Sequence, residues 1–388
     1  MADDKIERIK AAFARDQQEQ PQARRFGDIP ASYEAITPSW LTAILCGGHA
    51  GAEVVAFSLG ETDNGTSNRR RIQLTYNAAG ESAALPASVF CKATHDLANR
   101  LLLSASATFS EVSFYNRVRP LLNIDAPVSV FAGYDPESWA SIIVLKDIGD
   151  DVRFCSQDTA MDRTSVESQL TLLAAMHGRF FASAEFAGAL SDLIPFHRRF
   201  RNLADRYGIQ ECCENGVIAA EGVMPPRLFD RKGEIWAATL RAVDRQAAAA
   251  ETFVHGDVHL KNWYMRPQLS MGLGDWQCSG RGHWARDVAY TISTSLPRSD
   301  RRAWERELLR FYLDELHAAG GPRIGFDQAW RDYREQLLSA LAWWTMTLTP
   351  GRDMPDMQPR HTSLAFIGRI ADAIDDLDSI AAGAEAGA

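Results

Sequence analysis

The pattern of apolar and polar residues changes period along the chain, and each change predicts a change of element. The opening stretch "MADDKIERIKAAFARDQQEQPQARR" is charged and amphipathic, and "PSWLTAIL" carries a helix start at Thr37 and Pro38, so residues 1–50 are expected to be mainly helical. Then "AEVVAFSLG", "RRRIQLTYN" and "ASVFCKA" are short, β-branched or aromatic, and broken by Gly, Asn and Pro, which predicts antiparallel strands. Residues 97–119 return to a helical pattern, and "APVSVFAGYD" and "WASIIVLKDI" predict two more strands. From residue 160 helices dominate; in "SVESQLTLLAAMHGRFF", Leu170, Leu173, Ala174 and His177 share one face. Residues 253–280 interrupt with "TFVHGD" and "MGLGDW", expected as a strand pair, before long helices resume. Near the end, Trp330, Tyr333, Leu337, Leu341, Trp344 and Leu348 form a core stripe. Trp343 and Met346 lie off that stripe, and are expected in the core too, the alternative being the wall of an apolar substrate pocket.

The order of elements gives an α+β class with a bilobal, protein-kinase-like arrangement: a β-rich N-lobe and a mainly helical C-lobe. The expected division is 1–50 as a helical extension, 51–148 as the N-lobe with its nucleotide-binding sheet, and 149–388 as the C-lobe with catalytic loop and acceptor site. The chain's 388 residues are ample for two such bodies. A net charge of −9 argues against nucleic acid as a partner. No apolar run reaches membrane-span length, and the N-terminus has no apolar signal core. The six cysteines show no C-x-x-C spacing, so reduced thiols and a cytoplasmic location are expected.

Chemistry concentrates in "FVHGDVHLKNWYM", residues 253–265. On an extended strand, His255, Asp257 and His259 would share a face suited to a metal. On a strand end and loop, Asp257 and Asn262 would suit phosphoryl transfer, which needs an acceptor-orienting carboxylate, metal ligands, a cation on the phosphates and a backbone cradle. The chain offers each in order. H-G-D-x-x-x-x-N makes Asp257 the group that orients the acceptor hydroxyl and Asn262 a metal ligand. Asp275, thirteen residues beyond Asn262 and after an apolar run, is the second metal ligand. Lys92 ends a strand, and Glu111, nineteen residues later on the following helix, is placed to pair with it. The turn Gly65-Thr66-Ser67-Asn68 sits between two strands, where backbone N–H groups cap phosphates.

Taken together, "DNGTSNRRRIQLTY", "VFCK", "TFSEVSFYNRV", "VLKDIGD", "FVHGDVHLKNWYM" and "DWQCSGRGHWARDVAYTISTSL" resemble, in order, the aminoglycoside-phosphotransferase-like superfamily, more closely its ecdysteroid-kinase-like (choline-kinase-like) branch. The resemblance spans roughly residues 50–320 and departs from the pattern at the hinge, where Lys146 stands in the usual acidic position. It implies a small-molecule kinase using ATP (or GTP) and Mg2+, with backbone groups near Lys146 and Ile148 meeting the base. It also implies a small, largely apolar alcohol as acceptor, the alternative being an aminoglycoside or macrolide antibiotic; oligomeric state is left open. Asp287 is expected to fix the loop around Asp257, and Arg281 and Arg286 to neutralise phosphate or lie in solvent. The rival from another class is a metal-dependent hydrolase built on His255, Asp257 and His259, with His283 and Asp287 as further ligands.

Overall fold

The computed structural model describes residues 2–351, 354 and 356–382; the Ala/Gly tail beyond Ala382, expected to fray, lies outside them. The chain divides into two compact units, 1–121 with 127–151, and 122–126 with 152–388.

The first unit is built on a five-stranded antiparallel sheet in the order β1-β2-β3-β5-β4. Its strands are β1 (Val54–Asn64), β2 (Asn68–Tyr76), β3 (Ser88–Ala93), β4 (Ser129–Tyr134) and β5 (Ser141–Lys146). Period-two alternation in β3 sends Val89, Cys91 and Ala93 into the core and leaves Lys92 on the other face. The core beneath the sheet joins Ile72, Val89, Cys91, Ile142 and Val144 to Tyr33, Trp40, Leu41 and Ile44. Much of 1–50 is therefore one side of the sheet's own core. The region after β3 is helical as expected, in pieces: Leu97–Leu103, Ala107–Ser113, and a π-helical turn Phe114–Val118.

The second unit is mainly helical, its longest helices being Arg163–Phe180, Arg298–Ala318, Phe326–Leu348 and Arg360–Leu377. Its described residues include five very short strands: β6 (Arg153–Phe154), β7 (Thr252–Val254), β8 (Trp263–Met265), β9 (Met271–Leu273) and β10 (Gly280–Gly282). The expected pairing of "TFVHGD" with "MGLGDW" is corrected here. β7 pairs with β10, and β9 pairs with β8 in a three-stranded sheet β6-β8-β9. Three-residue apolar strands carry no alternation to choose a partner, and the tight 266–270 turn makes β8 the nearer one for β9. No helix among the described residues is long and apolar enough to cross a membrane.

Candidate active site

The catalytic loop is assembled from β7, the 255–262 segment and the helix Ala285–Ser295. Gly256 sits at φ 79°, and a Cβ there would come within 2.6 Å of the Cys278 carbonyl, so this turn requires glycine. Asp287 lies fully buried below the loop. Its two oxygens accept from the backbone N–H groups of His255 (2.7 Å) and Gly256 (2.9 Å). His177 stands 3.3 Å away and is itself bonded to the Tyr312 hydroxyl at 2.8 Å. Burial opposes the Asp287 charge, but His177 and the His255 N–H hold its carboxyl below the usual range. The expected role of Asp287 as the loop's anchor matches this geometry.

His255 is locked on both ring nitrogens. Nδ1 accepts from the Asp257 N–H (3.2 Å), so Nε2 carries the proton and donates to the Gly274 carbonyl (2.9 Å). Neither nitrogen offers a lone pair to a metal. Among the described residues no three His, Cys, Asp or Glu groups gather in a way that would hold a metal ion. The described residues therefore give the hydrolase reading no such ligand set. His283, its proposed further ligand, instead sits 3.9 Å from Asp332.

Asp257 receives the Tyr290 hydroxyl on Oδ1 at 3.0 Å, and the His259 ring lies 3.6 Å from its Oδ2. Burial pushes the Asp257 carboxyl up to about 6; Asp275 adds to the push, while His255, Tyr290 and Arg286 oppose it. His259 is buried with its Nδ1 unpartnered, ringed by Trp344 and Phe366, and burial lowers its pKa to about 3, so it is neutral. Asn262 donates Nδ2 to the Asp257 carbonyl at 2.7 Å, which leaves its amide oxygen for a cation. Its own carbonyl accepts from Gly274 N–H at 2.9 Å, tying the loop to the residue before Asp275. Asp275 adopts φ 60°, a left-handed conformation unusual for a residue with a side chain.

Arg286 does not fit either expected role. It is fully buried, donates to the Gly256 carbonyl (3.1 Å) and Ser339 (3.0 Å), and lies over the rings of Phe196, Tyr290 and Trp343. Arg281 is likewise taken by the Leu193 carbonyl (3.0 Å) and by Glu251 (3.4 Å). Trp343 and Met346 belong to an apolar cluster with Phe196, Phe200 and Trp236, which answers the question of their second face in favour of core.

In the first unit, Lys92 donates to Glu111 at 2.7 Å, with the two side chains 11% and 7% exposed. The turn Gly65–Ser67 connects β1 to β2. The Gly65 N–H is already bonded to the Ser67 carbonyl at 3.1 Å. The Asn68 side chain is a latch: Oδ1 accepts from the His95 N–H at 2.8 Å and Nδ2 donates to Asp96 at 2.6 Å. At the end of β5, the Lys146 N–H donates to Val128 (2.9 Å) and the Ile148 carbonyl accepts from Asp151 (3.0 Å). Asp147 between them holds Arg71 and Ser88.

Sequence reasoning missed Tyr290 as a partner of Asp257 and His177 as the partner of Asp287. The "DVAY" spacing was visible, since Tyr290 follows Asp287 by three residues and so shares its side of the helix. Nothing local pointed to His177, 110 residues away.

Residues 162–324, which include the catalytic loop, match the model of the phosphotransferase enzyme family APH. The segment that carries Asp257, Asn262 and Asp275 thus lies within the part of this α+β chain that is similar to that family. No curated protein matches the sequence. Among solved structures, the chain is similar to an aminoglycoside phosphotransferase from Streptomyces rimosus at 16% identity, covering 77% of this chain and 95% of that one with a TM-score of 0.39. It is also similar to an ethanolamine kinase from Plasmodium vivax (11% identity, 83% and 81% covered, TM-score 0.45). A third is the choline kinase LicA from Streptococcus pneumoniae (14% identity, 84% and 94% covered, TM-score 0.43).

Proposed function

We propose that the protein transfers the γ-phosphoryl group of ATP or GTP to a hydroxyl of a small molecule. The observation that carries this is the environment of Asp257: a partly buried carboxylate with a pKa near 6, oriented by Tyr290 and fixed through Asp287, His255 and Asn262. Such a group is largely ionised at neutral pH, yet basic enough to take a proton. The acceptor oxygen attacks the γ-phosphorus as the bond to the β–γ bridging oxygen breaks. The hydroxyl proton passes to Asp257, and the nucleoside diphosphate leaves. Lys92, held by Glu111, steadies the α- and β-phosphates. The backbone of the 65–68 turn and the N–H of Ile148 are the remaining candidates for cap and base contacts.

The donor set fits Mg2+: the Asn262 amide oxygen and the Asp275 carboxylate are hard oxygens, and Mg2+ takes one or two such protein groups beside phosphates and waters. When bound, the ion neutralises charge on the phosphates. A cytoplasmic location is supported by the six free cysteines.

The acceptor we favour is uncharged or weakly charged and largely apolar. A polycation needs carboxylates to meet its ammonium groups. Within residues 330–348 Glu335 is 3% exposed and already paired with Arg245 at 2.6 Å, and Asp332 accepts from Gln328. A pocket of about 300 Å3 lined by Val217, Ile235, Trp236 and Ala342 does not bear on this choice. Its lining includes none of Asp257, Asn262, Asp275 or Tyr290. The test is a nucleotide-consumption screen against alcohols and antibiotics, with the product phosphate located by mass spectrometry. Turnover of a hydroxyl compound supports the reading; no consumption across the library by protein that binds no MgATP refutes it.

A further inference from the structure

The first helix, Ala2–Glu19, lies outside the segment that matches the phosphotransferase family, yet it reaches the residues that hold Lys92 and Glu111. It packs on the helix Leu97–Leu103, burying Ile9 and Ala12. Lys5 donates to the Ser104 carbonyl at 2.6 Å and lies 3.9 Å over the Trp139 ring. Asp16 accepts from Arg100 Nη1 at 2.6 Å.

Arg100 is the pivotal side chain. It is wholly buried, its guanidinium 5.1 Å over the Phe13 ring, and its Nε donates to the Thr94 carbonyl at 3.2 Å. Thr94 is two residues past Lys92 on the same extended run. Arg100 itself belongs to the helix that leads, through the turn at 104–106, into the Glu111 helix. Lys92, Thr94, Leu103 and Glu111 line one small cavity. A single guanidinium thus braces both sides of the Lys92–Glu111 pair, and the carboxylate that balances it comes from the first helix. Asp135 feels the same charge, but the hydrogen-bonded carboxylate is Asp16. A buried cation that loses its carboxylate must move toward water or another acid. Here that movement drags the Thr94 carbonyl and the Leu97–Leu103 helix with it.

We infer that Asp16 and Arg100 are positioning residues for the Lys92–Glu111 pair, so that the first helix is a working part of nucleotide binding. The consequence for nucleotide rests on the reading of Lys92 as the phosphate cation; the mechanical link does not. The experiment compares full-length wild type with Asp16→Asn and Asp16→Glu, with Lys10→Ala on the exposed side of the helix as control. Amide hydrogen exchange is followed over residues 107–113, and MgATP affinity is measured by calorimetry without acceptor. In Asp16→Asn, exchange over 107–113 is expected to quicken about tenfold or more, and the MgATP Kd to rise about tenfold, as for a broken buried ion pair. Asp16→Glu should restore both, and Lys10→Ala should change neither. If Asp16→Asn does not fold, Lys5→Ala, which removes the Ser104 contact, carries the same measurements. Wild-type exchange at 107–113 in the folded variant overturns the inference, as does a lowered melting temperature with MgATP affinity unmoved. If wild-type protein binds no MgATP, the phosphotransfer reading falls, and the exchange result alone decides the link.

Discussion

Replacing Tyr290 by Phe removes one hydroxyl and tests the chemistry of Asp257 directly. In the wild type, that hydroxyl donates to Asp257 Oδ1 at 3.0 Å, with Tyr290 fully buried and Asp257 partly so. The hydrogen bond favours the carboxylate over the acid, so its loss raises the pKa further. A bond to an ionised group is worth about 1.5–3 kcal/mol, and a pKa unit corresponds to about 1.4 kcal/mol. The Asp257 pKa near 6 is therefore expected to move to about 7–8 in Tyr290→Phe. The active form is the ionised one, so activity falls as pH falls through this value. The wild-type kcat/KM for acceptor should show an acidic limb near 6, and the variant's limb should lie one to two pH units higher, in line with that bond energy. At pH 7 the variant should be slower by about 2- to 10-fold, with near wild-type rates recovered at pH 9. The assay is a pH profile of kcat/KM at saturating MgATP, with the acceptor found in the screen. A variant whose acidic limb stays at the wild-type position, or whose deficit is equal at every pH, removes Asp257 from the titration.

Asp257→Asn should leave MgATP affinity nearly intact while cutting turnover by about 10²–10⁴; near-normal turnover would exclude Asp257 as the base. The same variant should be more stable above pH 7 by about 2–3 kcal/mol, because a carboxyl whose folded pKa is raised destabilises the fold once ionised, and the gain should vanish below pH 4 in urea melts. Asp275→Ala should abolish the Mg2+-dependent rise in melting temperature that ATP produces, a loss read by thermal shift with and without the ion. Trp343→Ala should lower stability by about 2–4 kcal/mol through lost packing on Phe196, Phe200 and Arg286; an unchanged melting temperature with a raised acceptor KM would return this residue to a substrate pocket.

The groups proposed to meet phosphates, metal or acceptor hydroxyl could be picked out because their spacing follows from local geometry. A loop of fixed length separates Asp257 from Asn262, and a strand followed by a helix separates Lys92 from Glu111. What escaped was the support. His177 reaches Asp287 across 110 residues, and Arg286 reads as a surface arginine until three aromatic rings and the Gly256 carbonyl enclose it. Short β-branched and aromatic runs broken by Gly, Asn and Pro predicted strands β1 to β5. β7 to β10 have three residues each, too few to show a period, so their partners could not be read. The opening helix was predicted from its amphipathic face, but such a face announces only that something covers it; Arg100, buried eighty-four residues further on, was not visible as its partner.

Asp287 is fully buried and Asp257 partly so; both are joined to the same loop, and their environments push them in opposite directions. Asp287 accepts two backbone N–H groups and faces His177, which is enough to keep it charged despite burial. Asp257 has Tyr290 on one oxygen, the neutral His259 ring beyond hydrogen-bond reach of the other, and the like charge of Asp275 acting on it. Fully satisfying Asp257 would have made it as inert as Asp287; leaving it wholly unsupported would have kept it protonated at neutral pH. A pair of titratable groups separated in this way supports the proposed roles, the low one as scaffold and the high one as proton acceptor. The glycine at 256 lets this loop pass close to the Cys278 carbonyl, where a Cβ would come within 2.6 Å.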